Sequence, residues 1–206
     1  MNWISALFKN KTQKDEIPMN KFLIVGLGNI GPEYTNTRHN IGFKILNFFA
    51  NKENITFQTS KLGDVAHYKI KGSTLILLKP NTYMNLSGKA LKYWMEKEKI
   101  EIENVLVITD DLNLSFGTIR IKPRGTDGGH NGLKNIQLLL NSSEYPRFRF
   151  GISDVFKKGK QIDYVLGEWN DNEKLKLQER LEIAIQIITS FALSGLNTTM
   201  NTFNGK

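Results

Sequence analysis

Two of the chain's three histidines stand in matching polar settings, Thr37-Arg38-His39-Asn40-Ile41-Gly42 and Gly128-Gly129-His130-Asn131-Gly132. Neither lies in an apolar run, so neither reads as a core histidine. Further amides stand at Asn29, where an apolar run ends, and at Asn85 in Tyr83-Met84-Asn85-Leu86-Ser87-Gly88. An imidazole moves protons near neutral pH, and an amide can hold a carbonyl without bringing a charge into the site. The chain has no cysteine, so a thiol nucleophile is excluded. The combination points to hydrolysis of an acyl bond by an activated water. His67, on an ordinary strand pattern, reads as structural.

The bulk properties narrow the setting. A chain of 206 residues with 40% hydrophobic and 23% charged content fits one soluble domain with a full core. The lack of cysteine fits a reducing compartment, so a cytoplasmic location is expected. No His-x-x-x-His spacing exists, and neither a metal nor a cofactor is expected. The net charge of +8 invites a polyanionic partner. Residues 1–20 form an expected N-terminal extension, flexible or docked on the surface, with Trp3, Ile4, Leu7 and Phe8 at helical spacing. They lack the charged start and cleavage site of a signal peptide. No other stretch reads as long and apolar enough to span a bilayer.

Elements must then hold these residues. Short apolar runs predict buried strands at Lys21–Leu27 and Asn104–Thr109, the second leading into Asp110-Asp111. Val65–Ile70 and Ser73–Leu78 flank Lys71-Gly72 as a hairpin. Helical spacing predicts helices at Ile41–Ala50, Ser87–Ile100, Asn131–Leu140 and Asn172–Leu193. Thr118–Lys122 and Arg147–Ile152 alternate apolar and basic residues, as two-faced strands do. This interleaving predicts an α/β fold, a single-domain three-layer sandwich with a twisted mixed sheet flanked by helices. Asn29 and Asp110 fall at strand C-terminal ends, where a crevice opens.

Gly26-Leu27-Gly28-Asn29-Ile30-Gly31 matches the dinucleotide fingerprint, but the context does not. The fingerprint needs a helix opening inside the glycines, and here Pro32-Glu33-Tyr34 and a polar stretch intervene. The glycines are read instead as a tight turn that raises Asn29 toward a substrate.

Together, Gly26-Leu27-Gly28-Asn29, Glu33-Tyr34, Thr37-Arg38-His39-Asn40, Pro80-x-Thr82-Tyr83-Met84-Asn85-x-Ser87-Gly88 and Gly128-Gly129-His130-Asn131-Gly132 closely resemble bacterial-type peptidyl-tRNA hydrolase. The resemblance covers residues 21–206, taken as the catalytic domain. It implies a monomeric, metal-independent esterase that frees tRNA from peptidyl-tRNA released by stalled ribosomes. By the same resemblance His39 is the catalytic base and Asp110 the carboxylate that orients it, with Asp111 as the rival. Asn29, Asn85 and Asn131 resemble amides that hold the peptide and the water. Tyr34 matches a residue at the tRNA 3′ end, Met84 and His130 match pocket residues, and Lys122 and Arg149 match a basic pair gripping tRNA phosphate. The chain departs from the family pattern at Ile30, where proline is usual, at Asn113, where an acid is common, and at Ser153-Asp154, in place of a glycine. A catalytically silent RNA-binding protein on the same fold is the alternative.

The residues support the same chemistry on their own. A neutral imidazole accepts a water proton, and a buried carboxylate would fix its tautomer and stabilise the imidazolium. Asn131 is also a candidate N-cap for the helix after it. Arg120, Lys122 and Arg124 recur at every second position, as do Arg147 and Arg149. Five cations without an acid on two strand faces predict a track for phosphates, which positions a nucleic acid without reading its sequence.

Overall fold

The computed structural model describes residues 20–205; the expected extension lies outside them, except for Asn20. In chain order the elements are β1 (Asn20–Gly26), α1 (Ile41–Lys52), β2 (Gln58–Ser60), β3 (Gly63–Ile70), β4 (Ser73–Pro80), α2 (Ser87–Glu98), β5 (Val105–Asp111), β6 (Ile119–Lys122), α3 (Asn131–Leu140), β7 (Arg147–Gly151), α4 (Gln161–Val165) and α5 (Asp171–Phe203). The seven-stranded sheet runs β2-β3-β4-β1-β5-β7-β6. Its four central strands are parallel, and the outer strands at both edges are antiparallel.

Alternation along β1 divides the core between two faces. Phe22 and Ile24 join Ile45 and Phe49 of α1 and Ile185 and Ile188 of α5. Leu23 and Val25 join Leu91 and Trp94 of α2 and Leu133 and Ile136 of α3. Strands buried on both sides read as unbroken apolar runs, as β1 and β5 do. The result is the three-layer sandwich expected from the sequence.

The strand order fixes where a site can open. The chain leaves β1 for β4 on one side and leaves β5 for β7 on the other. Loops at the C-terminal ends of β1 and β5 therefore diverge and leave a crevice between them. The start of α1 is drawn against the end of β1 by backbone contact. A Cβ on Gly42 would lie 2.3 Å from the Leu27 nitrogen, and one on Gly26 would lie 2.4 Å from the Gly42 oxygen. The role of Gly26 is thus close approach, not the tight turn expected, and the helix begins only at Ile41. That late start removes the helix terminus a dinucleotide would need.

A buried ion pair ties the turn before α1 to the last helix. Arg38 Nη2 donates to Glu173 Oε2 at 2.8 Å, and the two side chains are 8% and 9% exposed. Arg38 Nη1 also reaches the Tyr164 carbonyl in α4 at 3.3 Å. Glu173 closes a capping box with Asn170 at the α5 N-terminus. By length and composition α5 could cross a membrane, contrary to the expectation from sequence. Its Leu181, Ala184, Ile188 and Phe191 are buried on the sheet, and Gly195 (φ 78°) breaks the helical geometry. It packs as a core helix.

Removing one member of a buried pair leaves the other uncompensated, which costs about 3–5 kcal/mol. Glu173→Ala should lose stability of that order in urea denaturation. A loss below about 1 kcal/mol would place the pair among ordinary surface contacts.

Candidate active site

The two matching histidines converge on one carboxylate. Asp110 is the last but one residue of β5, on the α1 face, and its side chain is 4% exposed. His39, from the turn entering α1, places Nδ1 at 3.0 and 2.9 Å from its two oxygens. His130, from the loop entering α3, places Nε2 at 3.0 Å from Oδ1. The rings lie 4.8 Å apart, tilted by 43°. Asp111 points to the other face, where it meets Arg149 Nη2 at 2.6 Å and accepts from the Asn113 N–H. Of the two acids it is therefore Asp110 that contacts His39, while Asp111 contacts Arg149.

The partners of each ring settle its tautomer. His130 Nδ1 accepts from the backbone N–H groups of Gly132 and Leu133, so its hydrogen sits on Nε2 and is donated to Asp110. His130, not Asn131, is therefore the N-cap of α3. His39 has the opposite arrangement. Its Nδ1–H faces the carboxylate, and its Nε2 makes no hydrogen bond among the described residues. Burial alone raises the pKa of Asp110, but the two imidazoles hold it well below the usual carboxylate range. Burial pushes His39 down, and the charge and hydrogen bond of Asp110 more than reverse this, leaving it above 6.5.

His39, Asp110 and His130 have the composition of a metal site, with ligand atoms within 4.8 Å. The donor set fits a proton better. For Nε2 of His130 to bind a cation, its hydrogen would have to move to Nδ1, against two N–H donors. The three line a cleft of about 100 Å³ with Asn131, Leu133 and Arg149, and α4 contributes Ile162 and Val165. A larger groove of about 550 Å³ between α1 and α5 contains none of the three.

A frame of amides ties together the segments next to His39 and His130, although Asn29, Tyr34, Met84 and Asn85 do not line the cleft itself. Asn40 Oδ1 accepts from the Asn29 N–H at 2.8 Å, and Asn40 Nδ2 donates to the Asn29 carbonyl at 2.9 Å. Asn29 Oδ1 accepts from the Met84 N–H at 2.8 Å, which leaves its Nδ2 as a donor. Met84 is buried beneath Gly132, whose Cβ would meet its Sδ at 2.8 Å. Asn85 and Asn131 present exposed amides, and Tyr34 is half-buried in a turn before His39. His67 is exposed on β3, away from the cleft.

The basic strands require a correction. Arg147 is 2% exposed, so it cannot belong to a phosphate track. Its guanidinium donates to the carbonyls of Thr126 (2.7 Å), Gly125 (2.5 Å) and Ser143 (2.6 Å), fixing the loop that leads to His130. Arg124 is exposed and meets Glu144 at 3.5 Å. Arg120 is half-buried opposite Arg149, and Lys122 is exposed. Sequence reasoning also missed Arg38 and the clamp made by Asn40. Both stand in the Thr37-Arg38-His39-Asn40 motif, where only the histidine drew a role.

The family model described as peptidyl-tRNA hydrolase matches residues 23–206. The chain belongs to the peptidyl-tRNA hydrolase family. It is 53% identical to the peptidyl-tRNA hydrolase of Porphyromonas gingivalis, over 89% of this chain and all of that one. It is 54% identical to that of Bacteroides fragilis, over 90% of this chain and all of that one. The crystal structure of the Acinetobacter baumannii peptidyl-tRNA hydrolase superimposes with a TM-score of 0.84 at 34% identity, covering 91% and 96% of the two chains.

A base whose working form is neutral gains activity as pH rises through its pKa. With His39 as the base expected from the sequence, the acid limb of kcat/KM should have its midpoint above 6.5. Asp110→Asn removes what raises that pKa, so the limb should move to lower pH while the plateau falls by about 10²–10⁴. An unmoved limb in a pH–rate profile would break the link between the two residues.

Proposed function

We propose that this chain hydrolyses the ester between peptide and tRNA 3′ end in peptidyl-tRNA, with His39 as general base and water as nucleophile. Family membership supplies the reaction class, that of an ester hydrolase. The observation that carries the assignment of roles is the free Nε2 of a histidine whose Nδ1 is held by a buried, charged carboxylate. Nε2 takes a proton from water as its oxygen attacks the ester carbonyl carbon. The Asp110 carboxylate stabilises the imidazolium that forms. Collapse of the tetrahedral intermediate breaks the bond to the ribose oxygen, which takes the proton back from His39. No step calls for a metal.

The oxyanion needs donors, and the amide frame offers them. Asn29 has Nδ2 to give because its oxygen already serves Met84, Asn131 lines the cleft, and Asn85 follows Met84 in the chain. Amides that pair with an N-acylated chain would be left unpaired by a free ammonium, which disfavours aminoacyl-tRNA. Tyr34 and Met84 would contact the 3′ end and the acyl group, and His130 would brace Asp110. Lys122 and Arg149, with Arg120 and Arg124 beside them, would take tRNA phosphates. A monomer in the cytoplasm fits this work. A binding scaffold alone has no use for a charged carboxylate buried between two imidazoles.

The test is release of an N-acyl-aminoacyl group from tRNA by purified protein, with the free aminoacyl ester as control. His39→Ala should lose at least about 10² in kcat while tRNA affinity is kept. Retention of more than about a tenth of the rate would exclude it as base.

Lys122→Ala should instead act on KM for full-length substrate. It should also flatten the salt dependence of binding by a slope of roughly 0.7–0.9 per lost phosphate contact. If it slows a minimal substrate lacking the acceptor stem equally, the phosphate assignment fails.

A further inference from the structure

β6 is the last strand of the sheet, and its pairing has an unfavourable feature. Arg120 stands directly across from Arg149, and Lys122 across from Arg147. Like charges in cross-strand register weaken a pair, so this edge needs support from elsewhere. The strand is only four residues long.

Support comes from the end of the chain. Along an antiparallel strand, backbone groups point alternately toward the partner and away from it. Those of Ile121 point outward, where an edge strand normally exposes them. Here the Asn204 side chain takes both. The Ile121 N–H donates to Asn204 Oδ1 at 2.6 Å, and Asn204 Nδ2 donates to the Ile121 carbonyl at 3.1 Å. The Gly205 N–H continues the contact to the Ile119 carbonyl at 3.5 Å. One carboxamide thus imitates a paired strand at the residue between Arg120 and Lys122.

From this geometry we infer that Asn204 is a positioning residue for nucleic-acid binding, holding β6 so that Arg120 and Lys122 meet phosphates as a preset pair. The inference rests on the phosphate role proposed above for those cations. A preset pair binds more tightly because less freedom is lost on binding. Asn204 itself touches no substrate and acts through the strand.

Asn204→Ala should raise KM for full-length peptidyl-tRNA by roughly three- to tenfold, the scale of one or two net hydrogen bonds, with kcat retained. Asn204→Gln keeps both groups of the amide and should recover part of the loss. Asn204→Asp replaces the donor by an acceptor facing the Ile121 carbonyl and should not. In a Lys122→Ala background the Asn204→Ala effect should shrink, because the group it positions is gone. Circular dichroism and thermal melts on each variant confirm folding, and Asn204→Gln carries the test if Asn204→Ala fails to fold. Fully additive KM effects, or equal loss in Asn204→Gln and Asn204→Asp, would overturn the inference. If Lys122→Ala and Arg120→Ala raise KM but Asn204→Ala does not, positioning alone fails. If neither cation variant raises KM, the phosphate reading fails and this inference with it.

Discussion

A carboxylate removed from water must either take a proton or be met by donors on nearly every side. Asp110, 4% exposed at the end of a central strand, takes the second course. Both of its donors are imidazole N–H groups, and that choice settles the rest of the centre. Each ring is compelled to present a hydrogen to the same anion, so each is locked to one tautomer and one orientation. The parallel seam between β1 and β5, the backbone contact of Gly26 with Gly42, and the loop before α3 all serve to bring two rings to one strand end.

The segments beside the cleft need a different kind of support, because they are loops and single 3-10 turns that no strand ladder fixes. Backbone groups in such segments must find partners elsewhere. Asn40 answers for Asn29 by bonding both its N–H and its carbonyl, and Asn29 passes the link to Met84. Arg147 does the same for the loop before His130 with a single buried guanidinium. Apolar contact could bury these turns, but it is non-directional and would not set them to the tenths of an ångström that proton transfer needs. Asn204 shows the device again at the sheet edge.

Much of this was legible in the sequence because it is local. The central strands announce themselves as apolar runs, and α3 begins and ends where its periodicity does. His39 and Asp110 could be singled out by type and by their place at element ends. What escaped depends on contacts between distant segments. Arg147 has the alternation of a strand cation, and alternation tells which face a side chain takes but not what covers that face. The buried pairing of Arg38 with Glu173 spans 135 positions. α4 has five residues, too few for a periodicity to show. Which of Asp110 and Asp111 turns toward His39 follows from strand register, a property of the assembled sheet.

The two histidines carry the last lesson, since they share a His-Asn-x-Gly or His-Asn-Gly context yet end with opposite duties. Both give a hydrogen to Asp110, but by different nitrogens. His39 gives it from Nδ1, the nitrogen nearer the backbone, and so keeps its outer nitrogen without a hydrogen bond among the described residues. His130 gives it from Nε2, and its inner nitrogen is taken by the two N–H groups that open α3. A helix start thus consumes the acceptor that His130 would need to take a proton. His39 escapes this because the first turn of α1 is preceded by a tight turn whose N–H groups bond backbone carbonyls, such as Asn40 to Thr37. The difference between the proposed base and its proposed brace therefore comes from how each following helix satisfies its first donors, and that is decided outside the two histidines themselves.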